Sequence, residues 1–136
     1  MRRDDSGQIT VFVTVMASAL VGVCGLVYDG GGVLAAHQEA INESFEAARS
    51  AAQALDVGAL RSSGTVSVDP SAAAQAAQEY LASLGHTGTV AVNGDQVTVT
   101  VSFVHRLGIL DAFGLGPVRV SGTSTVTATQ GPGAGP

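Results

Sequence analysis

Between Ser6 and Tyr28 the chain reads SGQITVFVTVMASALVGVCGLVY, 23 residues without a charged side chain. Wound as an α-helix at ~1.5 Å per residue, such a stretch is about 35 Å long, enough to cross a hydrocarbon core of ~30 Å. Four fates are open to it: a retained transmembrane helix, a cleaved secretory signal, a lipoprotein signal ending at Cys24, or the buried helix of a soluble core. Length favours the first, because the apolar part of a signal is normally ~7–15 residues. Val33-Leu34-Ala35 has the small-residue spacing of a cleavage site, but Val23 stands before Cys24 where a lipoprotein signal usually carries Gly or Ala. The rest of the chain is too short to wrap a helix of this size.

The flanks orient the span. Arg2 and Arg3 precede it, whereas Asp29, Glu39, Glu43 and Glu46 follow. Basic residues stay inside, so the expectation is a single-pass cell-membrane protein with a cytoplasmic N-terminus and the larger part extracytoplasmic. Thr14, Ser18, Gly22, Gly25 and Asp29 fall on one small, polar stripe of the helix. Phe12, Met16, Ala19, Val23 and Leu26 make a second, mostly larger one. Small residues let helix backbones approach closely in a bilayer, which marks Thr14, Ser18, Gly22 and Gly25 as association residues; such residues are also common in any membrane helix. Cys24 is a small apolar residue there, and a single cysteine forms no intrachain disulfide.

Gly30-Gly31-Gly32 predicts a break at the membrane surface or a hinge, since each glycine inside a helix costs ~1 kcal/mol relative to Ala. From Val33 to Leu55, helical periodicity returns, with a heptad-like seam of Leu34, Gln38, Ile41, Phe45, Ala48, Ala52 and Leu55. Ile41, Phe45 and Ala48 are its candidate association residues, toward the chain's own domain or neighbouring copies. Glu39, Glu43 and Glu46 read as a solvated face. Asp56 to Thr65 reads as a loop, and Val66 and Val68 as a short strand. Asp69-Pro70 opens another helix as N-cap and first helical residue, with Ala73, Ala77, Tyr80, Leu81 and Leu84 on one face and Gly85 ending it.

The remainder alternates as strands do. Thr89 to Val92 and Gln96 to Val104 flank the turn signal Asn93-Gly94. Val97, Val99, Val101 and Phe103 point inward. Val118 to Thr129 alternates again, with Val118, Val120, Val126 and Ala128 opposite the threonines. The expected fold is α+β: a long transmembrane helix continuing into an amphipathic helix, a second short helix, then an antiparallel sheet of three to four strands with one solvated face. Residues 1–32 make the polar tip, span and glycine hinge, 33–129 an extracytoplasmic domain, and 130–136 a disordered tail. Between the last two strands, His105 to Pro117 (HRLGILDAFGLGP) is apolar enough to cover the sheet. It could instead offer Ile109, Leu110 and Phe113 to a partner protein or membrane.

No constellation for chemistry is visible. His37, His86 and His105 lack metal-ligand spacing and read as surface or capping residues, no serine sits in a nucleophile elbow, and residues 30–32 lead into no phosphate loop. The net charge of −5 gives no footprint for nucleic acid. Neither catalysis nor a metal or cofactor is expected.

Asp5-Ser6-Gly7-Gln8-Ile9-Thr10-Val11-Phe12, the apolar helix, Val27-Tyr28-Asp29-Gly30-Gly31 and then Ala47-Ala48-Arg49-Ser50-Ala51-Ala52 resemble the TadE/TadG-like group of tight-adherence (Flp) pilus-assembly proteins. The resemblance covers about residues 4–55, and the later order of strand, apolar turn and strand resembles TadE-type domains. It implies a structural or assembly component of a pilus or secretion system, self-associating or bound to other membrane proteins of that system, with no cofactor. Pilin-like members cut by a prepilin peptidase carry Glu five positions after the glycine. Here Gly7 is followed at that distance by Phe12, which favours an anchored, TadG-like component. The rival reading is an anchored or secreted extracytoplasmic binding module unrelated to pili, with 107–115 as its contact.

Overall fold

The computed structural model describes residues 5–129; residues 1–4 of the polar tip and the tail 130–136 lie outside the described residues. The order of elements is α1 Asp5–Ala52, α2 Val57–Ser63, α3 Pro70–Ser83, β1 Thr87–Asn93, β2 Gln96–His105, a 3-10 turn Leu110–Phe113, and β3 Val118–Thr127. The strands form a three-stranded antiparallel sheet in the order β1-β2-β3. The fold is α+β, as the sequence pattern implies.

Two compact units divide the chain. One joins the described residues up to Ala35 with His105–Val118; the other joins Ala36–Val104 with the described residues from Arg119 onward.

In the first unit, α1 does not break at Gly30-Gly31-Gly32, where an interruption is expected from propensity. A side chain at Gly32 would sit 3.1 Å from Nε2 of His105, so absence of bulk is useful there. Only 6% of the apolar window of α1 is buried. The helix is long and apolar enough to span a membrane, and Ile9, Phe12, Val15, Leu20 and Leu26 are exposed on it.

In the second unit, the core joins Ala47, Ala48, Ala51 and Ala52 of α1, Ala73, Ala77 and Leu81 of α3, and Val97, Val99 and Val101 of β2. The buried face of α1 keeps Ala48 and Ala52 of the expected heptad seam but otherwise differs from it. Leu34 and Phe45 are exposed, whereas Ala36, Ala40, Glu43, Ser44 and Ala47 are buried. The reason lies in β3: a Cβ at Gly122 would overlap the backbone of Ala40 and Ile41, so strand and helix meet where only small residues fit. Across this contact Ser44 Oγ lies 2.8 Å from Ile41 O and 2.7 Å from Ser124 Oγ, which is itself 3.3 Å from Ile41 O.

The stretch expected as a loop after Leu55 contains α2. Asp56 caps it by accepting from Ala59 N at 3.0 Å, and Gly64 closes it in the left-handed region with φ 66°. The expected strand at Val66–Val68 is reduced to one bridge, Leu55 to Val68. Asp69 caps α3 as expected, accepting from Ser71 N and Ala72 N. Its pKa is lowered from the usual carboxylate value, first by the Ser71 hydroxyl and then by the two amides. β1 and β2 pair from Thr87↔Ser102 to Asn93↔Gln96, with Gly94 at φ 64° in the turn. On the outer face, Thr98 bonds Thr125 and Thr100 bonds Thr123 across β2 and β3.

Candidate functional site

The first unit holds the most specific polar arrangement. Asp29, the first charged residue after the apolar stretch, is 3% exposed. Its carboxylate accepts three consecutive backbone amides from the β2–β3 connection: Gly108 N at 2.7 Å on Oδ1, Ile109 N at 2.9 Å on Oδ2, and Leu110 N at 2.6 Å on Oδ2. Ile109 N also lies 3.3 Å from Oδ1. An ionised acceptor makes shorter, stronger hydrogen bonds than a neutral one, and here both oxygens are used. Asp29 thus clamps the start of the apolar segment to α1.

Small residues make the approach possible. A Cβ on Gly25 would stand 2.9 Å from Cγ2 of Ile109 and 3.5 Å from Cδ2 of Leu110. A Cβ on Gly108 would stand 3.2 Å from both Oδ1 of Asp29 and the Tyr28 ring. Further along, Phe113 lines an open apolar groove with Val13, Thr14, Ala17, Ser18 and Val21. The segment expected to cover the sheet therefore packs on the N-terminal part of α1.

The sequence-singled residues divide accordingly. Gly25 and Asp29 of the small stripe lie against the chain's own segment, beside Ile109 and Leu110. Gly22 has no atom within 4 Å of a built Cβ. Thr14 and Ser18 turn their hydroxyls back to Thr10 O and Thr14 O, each at 2.8 Å, while staying exposed. Higher on α1, Phe45 is exposed, Ile41 is half-buried, and Ala48 is fully buried in the core of the second unit. Ala48 thus packs on the chain's own domain, one of the two uses open to the seam.

The second unit holds another polar pair. Glu43, expected on a solvated face, is buried, and its Oε2 lies 2.8 Å from Nδ1 of His86. The His86 ring stacks on Phe103 with centroids 4.3 Å apart and planes 9° from parallel. This histidine is a packed structural residue, where a surface or capping role was expected. Among the described residues, no group of three or more His, Cys, Asp and Glu side chains is arranged to hold a metal ion.

No sequence signal points to the Asp29 clamp, because its donors are main-chain amides that carry no residue signature. The Glu43–His86 pair is equally silent, since 43 positions separate its members. No family model matches the chain, and no curated protein or solved structure matches it.

Proposed function

We propose that this chain is a membrane-anchored structural or assembly component, minor-pilin-like, of a tight-adherence (Flp) pilus or a related secretion system. The observation that carries the reading is α1: one helix whose uncharged first half is largely exposed and whose alanine-lined second half contributes to the core of an α+β unit. The resemblance over residues 4–55 supports the same assignment. Within it, Asp29 of the Asp-Gly-Gly element has a definite task in holding Gly108–Leu110. In this reading the helix crosses the cell membrane once with its N-terminus in the cytoplasm. The rest stands outside, and the partners are other membrane proteins of the system or further copies of the chain. No catalytic residue or cofactor belongs to it.

Gene neighbourhood and crosslinking test it together. Secretion-ATPase and Flp-pilin genes should adjoin this one, and photocrosslinkers at Thr14, Ser18 or Phe45 should recover one of their products or a second copy from intact membranes. Isolated genomic context with no crosslinked partner from any position would reject the assignment.

A further inference from the structure

The apolar segment has an inner side, which lies on α1, and an outer side, which in the isolated chain meets solvent. We infer that the outer side is a lipid contact: in the anchored protein, Leu107–Leu115 sits within the outer leaflet beside α1, with acyl chains as its occupant. This rests on the membrane-anchored reading of α1.

Three observations converge on acyl chains. The first is position. The segment descends along the uncharged stretch, from Ile109 and Leu110 at Gly25 to Phe113 in the groove around Ala17. Asp29 and Ala17 are twelve residues apart, about 18 Å of helix at ~1.5 Å per residue, whereas half of a hydrocarbon core is about 15 Å. A helix that crosses the bilayer with this stretch carries the tip of the segment toward the middle.

The second is the backbone. An irregular segment at membrane depth must find hydrogen-bond partners within the protein. Gly108, Ile109 and Leu110 donate to Asp29. Ala112 donates to Ile109 O, Gly114 to Asp111 O, and Leu115 to Leu110 O. A water-facing loop has no need for such closure, because solvent would satisfy its amides.

The third is the outward surface. Phe113 is 64% exposed and Leu115 53%, and both continue the exposed apolar surface of α1. Asp111 is the one ionisable residue between Arg106 and Arg119, and its charge opposes insertion.

The test uses the full chain with Cys24→Ser and one new cysteine, at Phe113→Cys, Leu115→Cys or the exposed helix position Val15→Cys. Each is labelled with an environment-sensitive fluorophore in vesicles of phosphatidylcholine with one quarter phosphatidylglycerol. Spin-labelled acyl chains should quench positions 113 and 115 to within about twofold of position 15, and iodide should quench none of the three strongly. Adding Asp29→Ala should reduce lipid quenching at 113 severalfold while leaving position 15 unchanged. Two outcomes overturn the inference and leave the anchor standing: lipid quenching at 15 with iodide quenching at 113 and 115, or lipid quenching at 15 with neither quencher reaching 113 and 115, as a protein cover would produce. Absence of lipid quenching at all three positions removes the anchor and the inference together.

Discussion

Asp29 and Gly122 illustrate two ways in which one residue fixes a long-range contact. Asp29 does it by hydrogen bonding. Its replacement by Ala leaves the amides of Gly108, Ile109 and Leu110 without their acceptor, and Asn keeps one acceptor oxygen of the two. Hydrogen exchange in detergent should therefore speed up at these three amides in Asp29→Ala, and to a lesser degree in Asp29→Asn, with amides of β2 unchanged at Val97–Val101. Equal exchange in all three proteins would show that the clamp contributes no protection. Gly122 acts by lacking a side chain. Since a Cβ would overlap the backbone of Ala40 and Ile41, Gly122→Ala must push β3 from α1. Overpacking of this kind costs about 1–3 kcal/mol, which denaturant unfolding in detergent should register as a lower midpoint. An unchanged midpoint would mean that the helix and strand move apart without loss.

At the scale of elements, α3 depends on its first turn. Asp69 binds Ser71 Oγ at 2.6 Å, Ser71 N at 2.8 Å and Ala72 N at 3.1 Å, which lowers its pKa in the folded chain. A carboxyl with a lowered folded pKa contributes stability above its unfolded value, near ~3.9, and loses that contribution as pH falls through the folded value. Acidification below about pH 4 should fray the start of α3, seen as faster exchange at Ser71 and Ala72. Asp69→Asn should show no such pH dependence, and a wild-type profile flat down to pH 2 would contradict the capping account. The cap itself is readable in sequence, because Asp followed by Pro is a local signal, and the inward valines of β2 are readable as a period of two. The buried stripe of α1 is not read correctly from the large residues. Leu34 and Phe45 have the hydrophobicity of core residues, but they are exposed, and β3 approaches the helix backbone at Ala40 and Ile41 through Gly122. α2 hides for another reason: Gly58, Ser62, Ser63 and Gly64 favour turns, and the capping contacts of Asp56 and Gly64 outweigh them.

Across the whole molecule, the two units place different demands on their surroundings. The core of the second unit is built from residues between Ala47 and Ala128, so a fragment from Ala36 to Thr129 retains every member of that core. It loses Gly25 and Asp29, on which Ile109 and Leu110 pack. The fragment should unfold cooperatively by circular dichroism while binding a hydrophobic dye, and paired replacements Leu110→Ser and Phe113→Ser should abolish dye binding without lowering the unfolding midpoint. Loss of the cooperative transition in the fragment would show that the second unit cannot stand without the first half of α1. In the full chain, the uncovered apolar helix should keep the protein in the pellet after alkaline carbonate extraction of membranes, and release into the supernatant would refute insertion.

The Asp29 clamp also sets a schedule for biogenesis. Gly108 follows Asp29 by 79 positions. At ~5–20 residues per second of synthesis, the helix waits about 4–16 s before its covering segment has even been made. During that interval the carboxylate and the bare backbone at Gly25 are open to whatever the insertion machinery or a neighbouring subunit presents. Occupancy of the groove is then settled by competition, in which the chain's own segment arrives last but is tethered and therefore at high effective concentration.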